Sequence, residues 1–150
     1  MKLTKATAFA IAALTALPAF AEGDLSRANV IDVPMEMGSN DDGMYFKPEN
    51  FEFVTGQAYN LILTNVDEIK HEVSLNEMTE RIFTRKVEAA NSNGDLITEV
   101  KGNIREVEVG PGQTVEWFFV PVQPTDGPVE VTCEIAGHLE AGMRASATIN

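Results

Sequence analysis

From about Asn29 to its C-terminus the chain is written in short apolar–polar alternations, cut again and again by Gly, Pro, Asn and Asp. A period of two means strands that each turn one face to a core, so the predicted domain is all-β. Phe51 and Phe53 flank Glu52; Tyr59, Leu61 and Leu63 share one face, as do His71, Val73 and Leu75. Val107 and Val109 lead into Gly110-Pro111-Gly112, and Val115, Trp117 and Phe119 follow, which predicts a hairpin. The cluster Pro124-Thr125-Asp126-Gly127-Pro128 breaks the chain before Val129, Val131 and Cys133 resume the alternation, and Met143, Ala145, Ala147 and Ile149 supply a last strand. These runs predict a Greek-key β-sandwich of about seven to eight strands. Residues 76–90 stand apart: Met78, Ile82 and Phe83 have helical spacing behind an Asn76 cap, so a helical or long-loop excursion is expected, followed by an exposed turn at Asn91-Ser92-Asn93-Gly94.

Ahead of this domain, Lys2 and Lys5 precede an apolar stretch, Ala6 to Leu17, that ends in the small-x-small triplet Ala19-Phe20-Ala21. The stretch is well short of the roughly 20 residues of a membrane-spanning helix. Residues 1–21 are therefore expected to be a signal peptide and residues 22–150 an exported, periplasmic domain with no membrane span. The remaining 129 residues suit one domain, expected to be a monomer. The whole chain carries a net charge of -12, and loss of the two leader lysines takes it to about -14. Such a balance argues against nucleic acid and favours basic partners.

An exported protein normally pairs its cysteines, yet Cys133 is the only one here. A lone thiol in an oxidising compartment is a liability unless it is buried or bound as thiolate to a metal. Its neighbours favour the metal. In Cys133-Glu-Ile-Ala-Gly-His138-Leu-Glu-Ala-Gly-Met143, thiolate, imidazole and thioether donors recur at equal spacing across a Gly-containing loop. The chain has one other histidine, His71, at the start of a strand and just after the polar turn Asn65-Val66-Asp67-Glu68. Two imidazoles, a thiolate and a weak methionine suit copper in both its oxidation states. Zinc is the competing ion, since two histidines and a cysteine also hold zinc, although methionine is a poor zinc ligand.

The run Tyr59-Asn-Leu-Ile-Leu-Thr-Asn-Val-Asp, then His71, Gly110-Pro-Gly and Cys-x4-His-x4-Met, resembles the cupredoxin family of type 1 copper proteins over nearly all of residues 22–150. The loop spacing is similar to that of rusticyanin and the phytocyanins. Phe83-Thr-Arg-Lys-Val-Glu, Trp117-Phe-Phe-Val-Pro and Gly-His-Leu-Glu-Ala-Gly-Met more narrowly resemble periplasmic cupredoxins associated with copper resistance. The resemblance implies one type 1 copper ion, with His71 and His138 as imidazole ligands, Cys133 as thiolate and Met143 as axial thioether. It also implies electron transfer at an apolar patch around His138, with a c-type cytochrome or a copper oxidase as partner. Glu72 departs from the many family members that have Asn after the first ligand histidine, where it ties the ligand loops together. No enzyme is expected, because no histidine is left over for a further copper cluster. The alternative role is copper sequestration for tolerance without a dedicated redox partner, to which Met35, Met37 and Met44 could contribute if they are not ordinary core methionines.

Overall fold

The computed structural model describes residues 28–150; the expected signal peptide, 1–21, and the start of the domain at Glu22 lie outside the described residues. Among the described residues eleven strands form two sheets: β1 Val30–Asn40, β2 Gly43–Lys47, β3 Asn50–Phe53, β4 Ala58–Asn65, β5 His71–Ser74, β6 Ile82–Ala90, β7 Leu96–Val100, β8 Glu106–Val109, β9 Thr114–Pro121, β10 Val129–Thr132 and β11 Arg144–Ile149. One sheet has the order β2-β1-β4-β9-β6-β7 and the other β3-β11-β10-β5-β8. Most neighbours are antiparallel, but β1 runs parallel to β4 and β3 parallel to β11. Among the described residues, no helix is long and apolar enough to cross a membrane.

The expected alternations become the two inner faces. Phe53 on β3 meets Tyr59 on β4 and Phe119 on β9 edge-on, with ring centroids 4.9 and 5.2 Å apart, so one aromatic cluster joins the sheets. Leu61, Leu63, Val73, Trp117 and Ile149 fill the space around it and are at most 2 % exposed. Trp117 donates its indole N–H to Thr84 Oγ1 at 3.0 Å, so its buried polar atom is satisfied. Met35 and Met37 belong to this core, and Met44 packs against it. They are filling space in the way ordinary methionines do.

The sandwich has more strands than the alternations predict, for local reasons. β1 carries Pro34 in its middle, which reads against a strand; here β2 pairs with β1 only from Glu36 onward, so no partner awaits the missing N–H. β7 is exposed along its whole length and so has no buried face to announce it. The excursion expected over 76–90 is a 3₁₀ helix at Asn76–Arg81 alone, and Ile82–Ala90 is strand β6. A register shift between Thr84 and Lys86 spaces the buried Ile82, Thr84 and Val87 unevenly, and that bulge hides the two-residue period. Asn76 does not cap the helix. It sits at φ 47° and donates instead to Thr132 Oγ1 at 2.7 Å and to the Glu130 carbonyl.

The hairpin expected around Gly110-Pro111-Gly112 is absent. β8 pairs with β5 in one sheet, whereas β9 pairs with β4 and β6 in the other. The turn is an arch between sheets, closed by a bond from the Gln113 N–H to the Gly110 carbonyl, with Gly112 at φ 65°. Period-two alternation specifies which face of a strand is buried but not which strand lies beside it, so both connections satisfy the same pattern.

Candidate metal centre

At one end of the sandwich four connections come together. The loop 66–70 delivers His71 at the start of β5, the loop 133–143 joins β10 to β11, and the arch after β8 and the turn between β1 and β2 pack beside them. Asn65, the last residue of β4, links two of them: its side-chain N–H groups donate to the Ile69 carbonyl at 2.8 Å and the Val109 carbonyl at 2.9 Å. Its Oδ1 accepts the Asp67 N–H at 2.9 Å. The start of β5 is thereby fixed against β8, where His71 lies opposite Val109.

The long loop is wound on itself. The His138 N–H donates to the Ile135 carbonyl at 3.0 Å, the Met143 N–H to the His138 carbonyl at 3.0 Å, and the Cys133 N–H to the Met143 carbonyl at 3.3 Å. The backbone thus ties Cys133, His138 and Met143 together. Gly137 and Gly142 take φ of 89° and 101°, a region side chains disfavour, and so permit the tight path.

His71, Cys133 and His138 converge, with one donor atom from each lying within 4.8 Å of the others. His71 Nδ1 is 3.3 Å from His138 Nδ1, and Cys133 Sγ is 3.4 Å from the same atom. His71, Cys133 and Met143 are fully buried, whereas His138 retains 9 % of its surface. Two imidazole nitrogens facing each other beside a sulfur, away from water, leave lone pairs directed into a common space. That arrangement suits a metal ion and is poorly served by hydrogen bonds alone. Burial, and secondarily the neighbouring His71, lowers the His138 pKa, which favours the neutral imidazole that can ligate. Burial pushes the Cys133 thiol up, with Glu72 and Glu134 adding to the effect against the backbone N–H groups of Glu72 and Ile135. A metal binding there as thiolate complex must displace the thiol proton.

Two neighbours complete the surroundings. The Glu72 N–H points at Cys133 Sγ, 3.4 Å away, and Glu72 Oε1 accepts the Glu134 N–H at 3.3 Å. The loops are therefore tied at the position where the family has Asn, but by a carboxylate acceptor. Burial is the main cause that raises the Glu72 pKa, followed by the charge of Glu106. Asp67 was not among the residues singled out from the sequence. Its Oδ2 lies 3.1 Å from His71 Nε2 and accepts the Ser39 hydroxyl at 2.6 Å. The hydroxyl of Ser39 is the largest cause that lowers the Asp67 pKa. The available signal was an acid four residues before the ligand histidine, in a turn that reads equally well as plain turn chemistry.

No family model matches the chain, and no curated protein sequence does. Among solved structures it is similar to a multicopper oxidase from the hyperthermophile Aquifex aeolicus, with 17% identity, TM-score 0.60, and coverage of 89% of this chain and 31% of that one. It is similar to a multicopper oxidase from Campylobacter jejuni at 14% identity, TM-score 0.56, covering 81% of this chain and 30% of that one. The copper nitrite reductase from Nitrosomonas europaea gives 9% identity and TM-score 0.59, covering 80% of this chain and 49% of that one. The chain spans about a third of the length of these oxidases and about half of the reductase. At such identities the likeness concerns the fold, and the choice of ion rests on the donors. Nitrogen, nitrogen and thiolate sulfur with a thioether nearby in the chain suit copper better than zinc. The chain has the cupredoxin fold, and its buried His71, Cys133 and His138, with Met143 bonded to their loop, form a donor set fit for one type 1 copper ion.

Proposed function

We propose that the protein is an exported, periplasmic electron carrier in which His71, Cys133, His138 and Met143 would hold one copper ion. The observation that supports this best is the convergence of three buried donors of which only His138 reaches the surface. Copper in such a set supplies a one-electron couple. The chain's own part is to hold the donors still, keep water out and offer a contact for a partner. Rigidity comes from Asn65 and from the loop's internal backbone bonds. The contact mixes apolar and charged groups: His138 is flanked by exposed Gly137 and half-buried Leu139 and Ala141, Val66 and Ile69 on the adjoining loop are 53 % and 43 % exposed, and exposed Glu68, Lys70 and Glu140 stand among them.

A carrier fits better than a catalyst, because the chain's two histidines are both spent on the one centre. The partner should be basic, a c-type cytochrome or a copper oxidase, since the net charge of about -14 left once Lys2 and Lys5 go with the leader would steer it and the docking would be small and transient. Stopped-flow mixing of the copper(I) protein with an oxidised basic cytochrome c tests this. The expected second-order rate constant falls steeply with ionic strength, toward the roughly 10⁵–10⁶ M⁻¹s⁻¹ of unsteered association. Absence of electron exchange, together with copper sensitivity in a deletion strain, would favour sequestration.

Whether Met143 is a ligand has its own test. Met143→Gln should leave copper bound and lower the midpoint potential, because an oxygen donor favours copper(II) more than a thioether does. An unchanged potential, measured by redox titration, would remove Met143 from the ligand set.

A further inference from the structure

We infer that Asp67 is the positioning residue of His71 and that its charge sets how readily the centre accepts an electron. This rests on the copper-carrier reading above. A neutral imidazole has one N–H and one lone pair, so whatever occupies one nitrogen decides what the other can do. Here His71 Nε2 faces the Asp67 carboxylate at 3.1 Å, and His71 Nδ1 faces the donor cluster. An acceptor with no proton to give draws the N–H to Nε2, which leaves the Nδ1 lone pair aimed at the metal. His71 is fully buried, so water does not compete for Nε2.

Asp67 is itself held from several sides. Ser39 Oγ donates to Oδ2 at 2.6 Å, and the Glu68 N–H to Oδ1 at 2.9 Å. The Asp67 N–H is bound by Asn65, whose amide is in turn fixed to two carbonyls. Ser39 belongs to β1 and His71 to β5, so the carboxylate joins the two sheets at the edge of the centre. The Asp67 side chain is 18% exposed, which leaves its charge only partly screened. The oxidised centre carries one more positive charge than the reduced one. A fixed carboxylate behind the ligand therefore stabilises the oxidised form and holds the potential down.

Asp67→Asn separates charge from hydrogen bonding, because the amide oxygen still accepts the His71 N–H while the charge is gone. In redox titration against a small-molecule couple, the equilibrium constant for reduction should rise on the order of tenfold, with the visible band and the copper(II) EPR signal nearly unchanged. Asp67→Ala removes the acceptor as well, so copper affinity in chelator competition should fall about 10–100-fold and the EPR signal should change. An unchanged equilibrium constant in Asp67→Asn, or unchanged affinity in Asp67→Ala, would overturn the inference. NMR of ¹⁵N-histidine-labelled, metal-free wild-type protein gives a readout that does not depend on copper: His71 should carry its proton on Nε2, and a proton found on Nδ1 would overturn the positioning role. Failure of the copper reading itself would show separately, as a wild-type protein that stays colourless on copper(II) loading.

Discussion

Copper-loaded Cys133→Ser should be colourless. In the copper-loaded wild type, a thiolate bound to copper(II) should give an intense visible charge-transfer band, and Cys133 is the only thiol in the chain. A serine hydroxyl at the same place is harder and far less acidic, so it neither deprotonates readily nor donates charge in the visible range. Copper affinity should drop by more than the ~10–100-fold that loss of an outer-shell partner costs, because a primary donor is gone. The fold should survive. Cys133 is fully buried but accepts the Glu72 N–H, and serine can accept the same bond. Visible absorption, chelator competition and a denaturation curve on the metal-free variant check the three parts. A coloured Cys133→Ser would mean that the sulfur is not a ligand.

Gly43→Ala should destabilise the domain by about 2–4 kcal/mol and disturb the copper spectrum, although Gly43 is not a ligand. Gly43 opens β2 at φ 131°, where a side chain is strained, and an added Cβ would lie 2.3 Å from the Ala141 carbonyl oxygen. That oxygen is also the acceptor of the Met44 N–H at 2.9 Å, so strand and loop cannot simply part. Ala141 sits between His138 and Met143, and the loop that would have to yield is the one that places both. Gly56→Ala is the control: it too has positive φ, at 83°, but nothing lies within 4 Å of its added Cβ. It should cost only about 1 kcal/mol of backbone strain and leave the spectrum alone. Equal denaturation midpoints and equal spectra for the two variants would refute the steric account.

The candidate donors were legible in the sequence because they are rare residue types at fixed spacing. Cys133 and His138 share a loop, Met143 continues its interval, and His71 is the one histidine left. The structure brings the first two and His71 together and buries Met143 beside them in the chain. The sandwich was legible for a similar reason, since two-residue alternation survives wherever one face is buried, as at Phe51, Phe53, Tyr59, Leu61 and Leu63. What escaped are features that depend on partners far off in sequence. The bulge beside Arg85 turned a strand into an apparent helix, and the arch at Gly110–Gly112 passed for a hairpin because both leave the same alternation. Asp67 looked like one more turn residue until the fold set it against His71.

The parallel pairing of β3 with β11 has a consequence for the order in which the centre can be made. The loop carrying Cys133, His138 and Met143 is stretched between β10 and β11, and β11 finds its outer neighbour in Asn50–Phe53, near the other end of the domain. Ser146 and Asn50, hydrogen-bonded across that seam, are 96 residues apart. Closing so long a loop of chain is slow and brings no reward until its last strand is available. A chain lacking Arg144–Ile149 would carry His71, Cys133, His138 and Met143 without the strand that closes their cage. A metal site of this kind would therefore be finished only once Arg144–Ile149 is present, and a product truncated before it would be left without a complete site to load.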